Sequence, residues 1–101
     1  MAFETIIKPI VWFDLDEAIT WYENESEGLG MAFFKGFEEA KEKIESNPTV
    51  YRNIFPDIKR ILLNKFPYKL FYTISGNKIA IIGLTHAKRS NAFVRKPLKE
   101  L

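Results

Sequence analysis

Cysteine is absent from the 101 residues, and histidine occurs once, as His86. Disulfides, thiolate metal sites, cysteine nucleophiles and multi-histidine zinc sites are thereby excluded. No apolar run approaches the ~20 residues of a membrane-spanning helix. The opening stretch MAFETIIKPIVWFDLDE has no basic segment leading into an apolar one, so no secretory signal is read. The expectation is a cytoplasmic chain without a membrane partner. Neither a P-loop nor a G-x-S-x-G elbow occurs. Gly28-Leu29-Gly30 is no dinucleotide fingerprint either, because Phe33 stands where the third glycine would be. Nothing else in the sequence asks for a cofactor.

What the chain has in abundance is apolar surface. Hydrophobic residues make up 47% and aromatic residues 15%, with nine Phe, which is the composition of a folded chain with one core. One domain is expected over residues 1–91, followed by a basic tail over 92–101. Acid is scarce after the midpoint. Residues 1–51 hold four Lys/Arg against eleven Asp/Glu, a net of −7, and residues 52–101 hold eleven Lys/Arg against Asp57 and Glu100, a net of +9. Such a split suits either a polyanion or acidic partner of the C-terminal half, or mutual neutralisation within the fold.

The pattern of apolar residues predicts an α+β fold. Residues 3–8 form a strand rich in β-branched side chains and closed by Pro9. Asp14 or Asp16 caps a helix whose inner face is Leu15, Ala18, Ile19 and Tyr22. Gly28-Leu29-Gly30 breaks it. A second helix follows over 31–45 with Phe33, Phe34, Phe37, Ala40 and Ile44 inward, and Asn47-Pro48 stops it. Two helices with so short a link pack as an antiparallel hairpin. Residues 49–56 read as a loop with Tyr51, Ile54 and Phe55 tucked in. Strands at 58–63, 68–74 and 79–86, joined by turns at 64–67 and at Ser75-Gly76-Asn77-Lys78, make a three-stranded antiparallel sheet. The shared core is Leu15, Ile19, Tyr22, Phe34, Phe37, Ile44, Leu62, Leu70, Tyr72, Ile79 and Ile81.

Two constellations carry possible chemistry. Trp12, Trp21 and Tyr22 are either a stacking platform for bases or core packing. Lys59, Arg60, Lys65, Lys69, His86, Lys88 and Arg89 can converge on the exposed sheet face or its rim. A basic cluster with one His and no metal has the groups that RNA cleavage by a 2′-hydroxyl needs: a base, an acid and cations for the phosphorane. Equally, these are ordinary solvated side chains.

Read in order, Ala18-Ile19-Thr20-Trp21-Tyr22-Glu23, Gly28-Leu29-Gly30 leading to Phe34, Ile44 to Pro48 with Tyr51, Ile58-Lys59-Arg60, Lys65-Phe66-Pro67-Tyr68-Lys69-Leu70-Phe71-Tyr72 and His86-Ala87-Lys88-Arg89 resemble the RelE/ParE superfamily of bacterial toxins. The resemblance covers residues 3–91 or so. It implies the fold just described, and a toxin of a type II toxin–antitoxin system neutralised by a cognate antitoxin, in a hetero-oligomer. Phe66-Pro67-Tyr68 and the closing His86-x-x-Arg89 look like the ParE branch, which poisons DNA gyrase without catalysis. The RelE branch is a ribosome-dependent messenger-RNA endonuclease. For that activity Lys59 or Arg60, Lys69 and Arg89 match the family's basic set by position, and His86 of the same basic constellation joins them as a catalytic candidate. Phe93 stands here where the RelE pattern has a tyrosine near the C-terminus, a departure from that branch. A third reading is a degenerate member that only binds its partner. Lys65, Lys88 and Arg89 are the expected target contacts, and Trp21 and Phe33, with the sheet edge, the expected antitoxin contacts.

Overall fold

A computed structural model describes residues 3–91; the tail 92–101 lies outside the described residues. The elements run β1 (Glu4–Ile7), α1 (Pro9–Glu25), α2 (Leu29–Ser46), β2 (Arg52–Phe55), β3 (Ile58–Leu62), β4 (Tyr68–Ser75) and β5 (Lys78–His86). The expected α+β order is present, but the sheet has five strands rather than three, in the order β1-β5-β4-β3-β2. β1 joins β5 in parallel, Glu4 beside Lys78 and Ile7 beside Ile81. The stretch expected to be a loop supplies β2, which pairs antiparallel to β3 through the turn Pro56-Asp57. Its register shifts between Asn53 and Phe55, and such a bulge removes the strict alternation that marks a strand in sequence. β5 is apolar at nearly every position because it lies between β1 and β4.

α1 starts earlier than the acidic residues suggested. Pro9 occupies its first turn, where a missing N–H costs nothing and φ is preset. Asp14 and Asp16 therefore sit inside the helix and cap nothing. The α2 N-terminus has no side-chain cap of its own; Gly28 takes a left-handed φ of 89° there. The Glu23 carboxylate of α1 instead accepts the Gly28 N–H at 3.0 and 3.1 Å and the Gly30 N–H at 2.9 Å. A carboxylate there satisfies free donors and opposes the positive helix end. Gly30 is needed for a second reason: a Cβ on it would lie 2.8 Å from the Ile19 carbonyl oxygen, so glycine sets how closely the helices approach.

The hairpin covers one face of the sheet. Val11, Leu15, Ala18, Phe33, Phe37, Ala40 and Ile44 meet Ile61, Leu63, Leu70, Tyr72, Ile79, Ile81 and Leu84 in one buried cluster. Most of the expected core is here or packed against it. Leu62 is the exception, 54% exposed, because strand parity points Ile61 and Leu63 inward and turns Leu62 to the other face. That open face carries a small cluster of Ile58 and Phe71 under Ile54, Phe55 and Ile82. The Tyr72 hydroxyl donates to the Pro48 carbonyl at 2.6 Å. Burial, with Tyr51 adding, pushes its pKa up to about 12. Among the described residues no helix is long and apolar enough to cross a membrane.

Two measurements check this packing. Phe37 is fully buried, so Phe37→Ala is expected to cost about 3–5 kcal/mol in denaturant unfolding; a loss near zero would place its ring outside the core. Glu23 has its pKa lowered from the ordinary 4.5 by the Gly28 and Gly30 N–H groups. A depressed carboxylate stabilises the fold above its unfolded pKa and loses that effect as pH falls through the folded one. Glu23→Gln should thus lower Tm at neutral pH, with the gap to the parent closing in acid below the usual carboxylate range.

Candidate functional site

The basic residues singled out in the sequence divide between the two faces of the sheet. Arg60 and Lys69 share the open face, where Arg60 lies opposite Phe71, and Lys69 opposite Leu62 and Thr85. Lys69 is only 4% exposed. Its Nζ donates to the Arg89 carbonyl oxygen and, at 2.8 Å, to Asn91 Oδ1. The same Nζ stands 5.8 Å from the Phe71 ring centroid. Burial, and then Arg60, lower the Lys69 pKa. Lys69 is thus a pin that holds the segment after β5 against the sheet.

Lys59 is on the opposite, helix-covered side. It lies beside Tyr72, and its Nζ donates to the carbonyls of Tyr51 at 3.1 Å and Thr49 at 3.3 Å, tying down the connection after α2. His86 also leaves the open face. It pairs with Tyr68, and the two rings meet edge-on at 5.5 Å. Its Nδ1 accepts the Lys88 N–H at 3.1 Å, so Nε2 carries the proton when the ring is neutral. Lys65 adopts a left-handed φ of 72° in the β3–β4 turn, and Lys88 is exposed in the turn after β5. The seven residues therefore do not form one cluster, because strand parity separates neighbours such as Lys59 and Arg60.

Arg89 and His86 belong instead to a cleft of about 1140 Å³ between α1 and the end of β5. Its α1 wall includes Ile10, Phe13, Asp14, Glu17 and Trp21, with Tyr68 and Leu84 opposite. Ile10, Phe13 and Trp21 are large and exposed, Trp21 at 58%. The Trp21 ring stands edge-on to Tyr22 at 5.0 Å. Phe33, expected on the inward face of α2 and also as an antitoxin contact with Trp21, is fully buried and stacks on Tyr22 at 5.2 Å. Burial raises the Asp14 pKa, Glu17 adds to the rise, and Arg89 opposes it. The sequence reading missed this acidic, aromatic wall by starting α1 too late. The spacing of Ile10, Phe13, Asp14, Glu17 and Trp21 is the signal of one helix face. Among the described residues no three His, Asp or Glu side chains are grouped to hold a metal.

No family model matches the sequence, and no curated protein does. Solved structures are similar in fold. A chain of the chromosomal ParDE toxin–antitoxin system from P. aeruginosa superposes with a TM-score of 0.65 at 14% identity, covering 85% of this chain and 97% of that one. The isolated E. coli RelE toxin gives a TM-score of 0.65 at 15% identity, covering 99% and 100%. The archaeal RelE–RelB complex from Pyrococcus horikoshii OT3 gives 0.59 at 17% identity, covering 89% and 100%. The chain has the RelE/ParE fold.

The cleft electrostatics can be read directly. Arg89→Ala should raise the Asp14 pKa and Glu17→Gln should lower it, since each removes one of its neighbours. Carboxyl-carbon NMR titration measures both; identical Asp14 curves in all three proteins would separate Asp14 from these groups.

Proposed function

We propose that this protein is the toxin of a toxin–antitoxin pair, acting in the cytoplasm by binding DNA gyrase rather than by catalysis. The observation that carries this reading is the division of the basic set. Cleavage at a 2′-hydroxyl needs a base, an acid and phosphate-binding cations around one phosphorus. Here His86 and Lys59 lie on the side away from Arg60, and Lys69 is engaged by backbone and Asn91. A binding toxin needs only a charged surface, and Arg60, Lys65, Lys88 and Arg89 provide cations on the open face, the adjoining turns and the cleft rim.

The reading of a ribosome-dependent messenger-RNA endonuclease rests on a different observation. Arg60 and Lys69 share one face, and the Lys69 pKa is lowered there, which is the direction a general base requires. Both readings include a separate antitoxin. The fold neighbours include a RelE–RelB complex and RelE with a RelB peptide, and an acidic segment with apolar anchors suits the net +9 of residues 52–101.

A gyrase supercoiling assay and a translating-ribosome cleavage assay, run on the same purified chain, divide the readings. Inhibition of supercoiling without RNA cleavage is the expected result. Arg89→Ala is expected to weaken inhibition at least tenfold, about 1.4 kcal/mol or more of lost binding, with unfolding unchanged. Cut messenger RNA and unaffected gyrase would establish the nuclease. Inactivity in both assays, with an intact fold, would leave a partner-binding protein only.

A further inference from the structure

The α1 wall of the cleft is a row of unlike groups. Ile10 and Phe13 begin it, Asp14 and Glu17 follow, and Trp21 and Asn24 end it. Spacings of three and four residues put them on one side of the helix. From Ile10 to Asn24 the row runs for about 21 Å at the helical rise. Ile10, Phe13 and Trp21 are exposed although large and apolar, and Glu17 is exposed beside them. Burial and then Glu17 raise the Asp14 pKa, and Arg89 opposes them only in part.

These groups select an occupant by its chemistry. An anion would meet two carboxylates. A neutral apolar molecule would cover the rings but leave Asp14 and Glu17 dehydrated without a partner, which costs free energy. A cation with an apolar body satisfies both: it pairs with the carboxylates and lies against the Phe13 and Trp21 rings, where the π faces attract positive charge. The order along the helix narrows the class further. Ring, carboxylate, carboxylate and ring succeed one another, with the two carboxylates ~4.5 Å apart along the axis. Three or four methylene groups between two ammonium groups span a similar distance, so a linear polyamine has the same alternation of charge and apolar chain. Thr20 and Asn24, also in the lining, add oxygen acceptors for a further N–H. The 1140 Å³ of the cleft is ample for an unbranched triamine. α2 supplies the contrast within the same molecule. Its exposed Glu38, Glu39 and Glu42 are as rich in charge, yet none of them lines the cleft.

We propose that the α1–β5 cleft binds a linear polyamine, with ammonium groups on Asp14 and Glu17 and the methylene chain over Phe13 and Trp21. The site is separate from the toxin's target and holds whichever target the protein has.

Titration of the full chain with spermidine at near-physiological salt, followed by amide NMR, tests this. The expected result is saturable shifts of the Phe13, Glu17 and Trp21 amides and the Trp21 indole, with Glu38, Glu39 and Glu42 nearly unmoved and magnesium ion unable to reproduce the pattern. Glu17→Gln and Trp21→Ala should each weaken binding roughly fivefold, and Asp14→Asn with Glu17→Gln should abolish it, with the Leu70 and Ile81 shifts unchanged as the control for folding. Shifts spread equally over the α2 carboxylates, no saturation, or an equal response to magnesium would show charge screening alone and overturn the proposal. Undiminished binding by the folded Asp14→Asn, Glu17→Gln protein would do the same. Tighter binding of trilysine than of spermidine would also overturn it, since the occupant would then be a basic segment of another protein.

Discussion

Four rings set the geometry on which both the sheet and the cleft depend. Tyr22 of α1 and Phe33 of α2 stack on each other, and each meets the edge of Phe66 in the β3–β4 turn, at 4.9 and 5.1 Å. Tyr68 of β4 closes the group at 4.9 Å from Phe33. Aromatic pairs of this kind contribute roughly 0.5–1.5 kcal/mol beyond the area they bury. Their larger effect is directional. They fix the hairpin over the sheet at the end where β5 finishes, and so position His86 through Tyr68 and Trp21 through Tyr22. The Glu23 carboxylate and Gly30 keep the two helices in the register this cluster requires.

Charge is partitioned by this arrangement rather than spread over the surface. The excess acid of the N-terminal half is carried largely by two helices, and α1 turns part of it toward the cleft. Of the eleven Lys/Arg of the C-terminal half, Arg52, Lys59, Arg60, Lys69 and Lys78 lie in strands, where parity decides which face each takes. A sheet strand presents adjacent residues to opposite sides. Lys59 and Arg60 are thereby committed to different work, one to tying down the loop after α2, the other to the open face.

Much of the fold was legible in the sequence because period is a strong signal. The inward stripe of α2, from Phe33 to Ile44, and the alternation of β4 around Leu70 and Tyr72 lead directly to the observed core. Elements that lack a period were not legible. β2 is four residues long, bulged and half polar, and β1 pairs with a strand 74 positions later, which no local pattern reveals. Leu62 was misplaced because the consecutive apolar residues Ile61, Leu62 and Leu63 leave strand parity undecided. The site was harder still. The basic residues are plain in the sequence, but their division depends on parity, and the burial of Lys69 depends on Asn91, whose role nothing local indicates.

The parallel seam between β1 and β5 has a consequence for how the molecule comes into being. The first strand is made before either helix, yet among the described residues its one strand neighbour is β5, the last of the five strands in chain order. Parallel pairing across so long a separation is slow to form. On a ribosome, the helical hairpin and the β2–β3–β4 meander can assemble while β5 is still inside the exit channel. The first strand then waits, and the outer edge of β5 stays open as it emerges. An unpaired edge accepts a strand from another chain as readily as from its own. Chain growth therefore gives each new copy a brief stage at which a neighbouring polypeptide can take the place of β1, a stage that closes when β1 pairs with β5.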